Sequence, residues 1–64
     1  MGTLAAFNEQ FKVYRDFDGM DWIVVNRETG SKHWHSVYQH NVNDSLLSVL
    51  EKYGNNFTLT GKGL

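Results

Sequence analysis

The sequence predicts a small α+β domain in which an antiparallel sheet carries one helix on one face. Short apolar runs are separated by turn signals, one stretch near residues 43–53 has helical periodicity, and the chain has only 64 residues. The expected order is β-β-β-α-β: a three-stranded antiparallel meander, one amphipathic helix and a short fourth strand at the sheet edge. We expect residues 10–60 to form a single domain, because a chain of this length builds one core.

The N-terminal residues 1–9 have no single interpretation. Leu4 and Phe7 stand at the i, i+3 spacing of a helical turn, and a strand is also compatible with this segment. We therefore expect an N-terminal arm or a short helical turn there. At the other end of the chain, we expect residues 61–64 to form a flexible tail.

The first hairpin joins a strand over residues 10–16 to an apolar strand, Trp22-Ile23-Val24-Val25. Asp18-Gly19, between them, is typical of a two-residue type I′ turn. This turn places Asp16 opposite Asp21, where like charges repel each other. A longer loop would ease that repulsion, so the type of turn stays open.

The second hairpin leads from the apolar strand into a third strand over residues 32–38. Glu28-Thr29-Gly30 is typical of a three-residue loop with its glycine in the left-handed conformation. This loop pairs Val24 with Trp34. We therefore expect Trp34 on the face that the helix covers and His33 on the opposite face.

An amphipathic helix follows a polar connection and ends near Tyr53, with Gly54 as its stop signal. Asn43 or Asp44 is expected to cap its start. Its apolar side chains fall within one stripe of the helical wheel: Leu46, Leu47, Val49, Leu50 and Tyr53. Residues 56–60 then alternate apolar and polar side chains, and we expect a short strand at the sheet edge beside the first strand.

The second face of the sheet is the candidate binding surface, because one helix covers one face and the apolar strand has apolar side chains on both. Its expected members are Lys12, Tyr14, Ile23, Val25, His33, His35 and Val37. Mixed aromatic, apolar and polar groups are typical of interface centres. We expect a small non-catalytic, regulatory protein-binding module that acts through this face or a sheet edge. Self-association into a homodimer is its simplest form.

A nucleic-acid-binding sheet is the first alternative. Aromatic side chains on a sheet stack with the bases of single strands, and basic groups beside them contact phosphates. The residues that would do so are Tyr14, Lys12, Lys32, His33 and His35. The net charge of −1 weighs against a strongly electrostatic binder of nucleic acids.

A zinc-stabilised domain is the second alternative. His33 and His35 stand two residues apart on one strand face, and His40 and Asp21 are further candidate ligands. Histidines at this spacing also arise by chance as half-exposed sheet residues. We favour that second interpretation and expect no metal or other cofactor.

Composition narrows the function classes further. The chain has no cysteine, which excludes disulfides and favours a reducing cytoplasm. Its start lacks the charged and apolar regions of a signal peptide, and no apolar stretch approaches the ~20 residues that span a membrane. Ser36 and His35 are neighbours on a strand, so their side chains point to opposite faces. With no catalytic motif present, we expect no enzymatic activity.

Overall fold

The computed structural model describes residues 2–38 and 41–64 and confirms the α+β class. The described elements are β1 Thr3–Phe7, β2 Phe11–Asp16, β3 Asp21–Asn26, β4 Lys32–Ser36, α1 Val42–Tyr53 and β5 Thr58–Leu59. All strands belong to one antiparallel sheet in the order β4-β3-β2-β1-β5, and α1 packs on one of its faces. The predicted succession of meander, helix and edge strand is confirmed.

The N-terminal segment forms the strand β1, not the short helical turn that its spacing suggested. β1 pairs with β2 on one side and with β5 on the other, both antiparallel. A bulge between Leu4 and Ala6 brings Ala5 and Ala6 together into the core. The bulge interrupts the two-residue alternation of a strand, so the sequence pattern did not show it. β5 lies at the sheet edge, as predicted. Its neighbour is β1 and not β2, which corresponds to the predicted first strand.

The hairpin between β2 and β3 has the predicted register, including the Asp16–Asp21 pair. The loop between them contains four residues, and its residue with positive φ is Met20, at 55°. The type I′ turn is therefore not formed, since it requires positive φ at both central residues. Asp16 Oδ1 accepts hydrogen bonds from the backbone N–H groups of Asp18 (3.1 Å) and Gly19 (3.2 Å), which stabilise the longer loop.

Four residues, 27–30, separate Asn26 from Ser31, the pair that closes the hairpin between β3 and β4, instead of the predicted three. The N–H of Asn26 donates to the carbonyl of Ser31 (2.9 Å) and closes the hairpin. Gly30 has the predicted left-handed conformation, with φ 79°. The side chain of Asn26 accepts hydrogen bonds from the N–H groups of Glu28 (2.9 Å) and Thr29 (3.1 Å). These bonds stabilise a turn that starts at Asn26, one residue earlier than predicted.

The longer loop shifts the register of β4 by one residue and reverses its faces. Trp34 lies opposite Ile23, and His35 lies opposite Trp22. Because side chains alternate across a strand, a slip of one residue moves each of them to the other face. The predicted burial of Trp34 beneath the helix is therefore wrong. His33 and His35 point to the helix side instead.

The core lies between α1 and the face of the sheet that it covers. Its buried members are Ala5, Ala6, Val13, Trp22, Val24, Val37, Leu46, Val49 and Leu50. The side chain of Asn41 caps α1 by accepting a hydrogen bond from the N–H of Asp44 (3.2 Å), so the helix begins earlier than predicted. Gly54 ends it as expected, with φ 126°.

Among the C-terminal residues 61–64, for which we expect a flexible tail, Gly63 packs against β2. Arg15 Nη1 donates a hydrogen bond to the carbonyl of Gly63 (3.0 Å), and both residues are buried. Gly63 has φ 81°, and a Cβ there would lie 2.9 Å from the Cβ of Arg15. Glycine is thus required both by the conformation and by the close approach to β2.

Candidate functional site

The candidate site is the open face of the sheet, which we define as the side chains of β1 to β4 that point away from α1. Directly opposed residues of an antiparallel pair point to the same side, so the pairing identifies the members of a face. They are Leu4, Phe7, Lys12, Tyr14, Asp16, Asp21, Ile23, Val25, Lys32, Trp34 and Ser36. Within residues 2–38 and 41–64, the one helix lies on the other face.

Cross-strand pairing arranges the open face in three rows that run across the strands. The central row is apolar and contains Leu4, Tyr14, Ile23 and Trp34. The lysine row contains Phe7, Lys12, Val25 and Lys32. The aspartate row, on the other side of the central row, contains Asp16, Asp21 and Ser36. Positive and negative charges are therefore separated by an apolar strip.

Burial along the central row is uneven. Ile23 is only 6% exposed, whereas Trp34 is 57% exposed. Ile23 lies between Tyr14 and Trp34 in the row. Directly opposed side chains of an antiparallel pair lie close enough to shelter each other from water. Ile23 is therefore already buried in the single chain, without a partner molecule. Trp34 is the large hydrophobic side chain of the open face that stays mostly in solvent.

The structure brings together four of the seven predicted binding residues. They are Lys12, Tyr14, Ile23 and Val25, which share the open face. Val37 is buried in the core instead, and its N–H donates to the carbonyl of Met20 (2.9 Å). His33 and His35 lie on the helix side. The prediction of one continuous seven-residue surface is wrong, because it depended on the register of β4.

Trp34 is the residue that the sequence interpretation missed. The signal that would have placed it correctly is Asn26, a residue type whose side chain often accepts hydrogen bonds from backbone N–H groups two or three residues later in a turn. A turn that starts at Asn26 lengthens the loop to four residues. Strand alternation then puts Trp34 on the open face.

His35 connects β4 to the end of α1 on the covered side. Its Nε2 is hydrogen-bonded to the hydroxyl of Tyr53 (2.5 Å), and the two rings meet edge to face with centroids 5.4 Å apart. Burial lowers the pKa of His35, and the positive charges of Lys52 and His33 add to this effect. Burial also raises the pKa of Tyr53. His35 therefore joins β4 to the end of α1 through a hydrogen bond and an edge-to-face ring contact.

The predicted zinc ligands are only partly brought together. His33 and His35 share one face as expected, but Asp21 lies opposite Ser36 on the open face and cannot join them. His40 lies outside the described residues. Within residues 2–38 and 41–64, no group of three or more His, Cys, Asp or Glu side chains is placed to hold a metal ion.

A second apolar surface lies on the helix side, as a groove between α1 and β5. Its apolar lining residues are Ala5, Leu46, Leu47, Leu59 and Leu64. Its volume is about 190 Å³, smaller than the ~300 Å³ at which ordinary ligand pockets begin. The groove is therefore a weaker candidate than the open face.

Comparisons with protein-family models, curated proteins and solved structures each found no match. Among the described residues, no helix is long and apolar enough to cross a membrane. Fold and site together define a class: a small α+β domain with one face of its sheet covered and the other open. Its function is inferred from that geometry alone.

Proposed function

We propose that this chain is a small, non-catalytic regulatory module that binds a protein through the open face of its sheet. The observation that carries this proposal is Trp34, which is 57% exposed at the end of an apolar row. Tryptophan and tyrosine are enriched at the centres of interfaces, because they offer a large apolar area together with a polar group. Trp34 and Tyr14 share this row, with Lys12 and Lys32 beside it.

The open face supports this function better than the sheet edges do. The described edge strands are β5, with two residues, and β4, with five. Short edge strands expose few free backbone groups and are poor templates for adding another strand. β4 also carries Lys32, and charged side chains discourage pairing at an edge. A partner would gain more from covering Trp34 and Tyr14 than from extending the sheet.

A cytoplasmic location is part of the same proposal. Small domains outside the reducing cytoplasm are commonly held together by disulfides, and this chain has no cysteine. Its stability comes instead from the core beneath α1.

Single-stranded nucleic acid is a second candidate partner, favoured by the outward orientation of Trp34 beside Lys32. Bases would stack on Trp34 and Tyr14, and the two lysines would contact phosphates. The aspartate row lies on the same face and repels a polyanion. Because of this repulsion, we favour a protein partner over nucleic acid.

The proposal is tested by replacing Trp34 with a photo-crosslinking amino acid in the full chain, expressed in its native cell. We expect protein adducts after irradiation, because Trp34 lies within the proposed contact. The same amino acid at Glu51, an exposed position on α1, is the matched control and should give few adducts. A third variant at Leu47 reports on the groove between α1 and β5.

The outcomes separate the two candidates. Protease-sensitive adducts at position 34 but not at 51 support a protein partner. Nuclease-sensitive adducts at position 34 support single-stranded nucleic acid instead. Adducts at Leu47 alone would assign binding to the groove and remove the open face from consideration.

A further inference from the structure

We propose that the open face binds a second copy of the same chain, with the two sheets face to face and their strands antiparallel. This inference rests on the proposed function and names its partner. The observation behind it is the charge arrangement of the open face, with lysines on one side of the apolar row and aspartates on the other. A partner must match both signs, and a second copy carries both at the same spacing.

Symmetry limits how two copies can meet. Two identical faces come together only if the two-fold axis lies in the plane between them. An axis parallel to the strands would place the lysine row of one copy over the lysine row of the other, and likewise for the aspartate rows. An axis that follows the central row exchanges the two flanking rows. The charges therefore select the second arrangement, since each lysine row then meets an aspartate row.

The strand β2 shows the match most directly, because its open-face residues are Lys12, Tyr14 and Asp16. The axis through Tyr14 places Lys12 of one copy opposite Asp16 of the other. Symmetry produces this pair twice. The central rows lie on each other, so that Trp34 meets its own symmetry mate and leaves water.

The other strands add one further charge match. On β4, Lys32 lies over Ser36 of the second copy, and Ser36 is the cross-strand neighbour of Asp21. One strand spacing, ~4.8 Å, separates Lys32 from that aspartate, a distance that a lysine side chain spans. Both lysines of the open face thus meet a carboxylate of the second copy.

The size of the patch predicts a weak dimer. Four strands across and about five residues along measure roughly 19 by 17 Å, at ~4.8 Å per strand and ~3.3 Å per residue. Such a patch buries less than the ~800 Å² per partner of a standard interface. We therefore expect a dissociation constant of roughly 10 to 300 µM for the dimer, and this range sets the chain concentrations of the experiment.

Sedimentation of charge variants tests the arrangement. The mass of the sedimenting species should rise from that of one chain to that of two chains across this concentration range. Lys12→Asp and Asp16→Lys should each weaken association at least tenfold, because each variant places like charges opposite each other. Lys62→Asp makes the same charge change as Lys12→Asp at an exposed C-terminal position and should have no effect.

A mixture of the two weakened variants gives the sharpest result. Mixed one to one, Lys12→Asp and Asp16→Lys should form a dimer that contains one chain of each, because each repelling charge then meets its opposite. Asp16→Lys also removes the acceptor for two loop N–H groups. A double variant, K12D with Asp16→Asn, keeps an oxygen acceptor in the loop and should associate better than K12D alone.

The results distinguish this inference from the proposed function. If both charge variants dimerise as strongly as the unmodified chain, the antiparallel arrangement is wrong, but the open face remains the proposed binding surface. A chain that stays monomeric throughout, while position 34 crosslinks a different protein, overturns the second copy as partner. If the chain stays monomeric and the adducts at position 34 are nuclease-sensitive, the second copy is not the partner and single-stranded nucleic acid is supported instead. Loss of all adducts at position 34 overturns the proposed function itself.

Discussion

Ser45 supplies hydrogen-bond partners to groups from three segments of the chain. The indole N–H of the fully buried Trp22 donates to Ser45 Oγ (2.9 Å), and so does the backbone N–H of Tyr38 (3.2 Å). The Ser45 hydroxyl donates in turn to the carbonyl of Ser36 (3.4 Å). One small side chain therefore joins β3, α1 and the segment after β4.

Replacing Ser45 with alanine should lower the free energy of unfolding by about 1–3 kcal/mol, because the buried N–H of Trp22 loses its acceptor. Ser48→Ala is the matched control, since Ser48 is exposed on the same helix. It should change stability by less than ~0.5 kcal/mol. Urea denaturation followed by circular dichroism measures both. Equal midpoints for the two variants would contradict the role of Ser45.

The role of Ser45 could not be predicted from the helical wheel. The wheel places Ser45 with the polar residues of α1, yet it is buried, whereas Leu47 belongs to the apolar stripe and is half exposed. Periodicity reports the average direction of a face. It does not report which polar side chain a buried indole N–H requires. That information depends on the position of Trp22 across the core.

At the scale of elements, the strands β2 to β5, the helix and the β2–β3 register follow from local pattern. Alternation identifies β2, and helical periodicity identifies α1. The faces of β4 depended on one number, the length of the loop after β3, and a change from three residues to four moved Trp34 to the open face. β1 was ambiguous because its bulge interrupts the alternation.

The contact between β4 and α1 should make stability depend on pH through His35. Its pKa is lowered in the fold by burial, then by Lys52 of α1 and His33 of its own strand, so the folded chain binds this proton less readily than the unfolded chain does. The unfolded chain binds a proton at the ordinary value of 6.5. Below that pH the unfolded state therefore binds more protons, and stability is lost as pH falls. Above pH 6.5 this contribution is fully present.

Thermal melts of two variants between pH 5 and pH 7.5 measure this effect. His35→Gln should lose less stability on acidification than the unmodified chain, because the titrating group is gone. His33→Gln should retain most of the loss, since burial of His35 is the largest cause of the lowered pKa. An unchanged pH profile in His35→Gln would show that other groups govern the acid response.

At the scale of the whole molecule, the described residues form one 12-residue helix that packs on a sheet of five strands. A helix of this length is about 18 Å long and 10 Å wide, so it lies over the middle of one face of such a sheet. Within residues 2–38 and 41–64, no helix lies on the other face. Its apolar row is the basis of the proposed binding surface, and the separated charges are the basis of the proposed partner orientation.

The two tryptophans test this layered arrangement, because Trp22 is fully buried under α1 and Trp34 is mostly exposed. In dilute solution, below the association range, acrylamide should quench one part of the fluorescence and leave another part shielded. Trp34→Phe should remove the quenchable part and leave a shielded emission from Trp22. The difference between the unmodified chain and this variant then gives the spectrum of Trp34. If the variant instead loses the shielded part, Trp34 lies beneath the helix and β4 has the register of a three-residue loop. In that case Lys32, Trp34 and Ser36 would leave the open face, because a slip of one residue turns all of β4 over. The proposed function would then be wrong, since Trp34 is the observation that carries it.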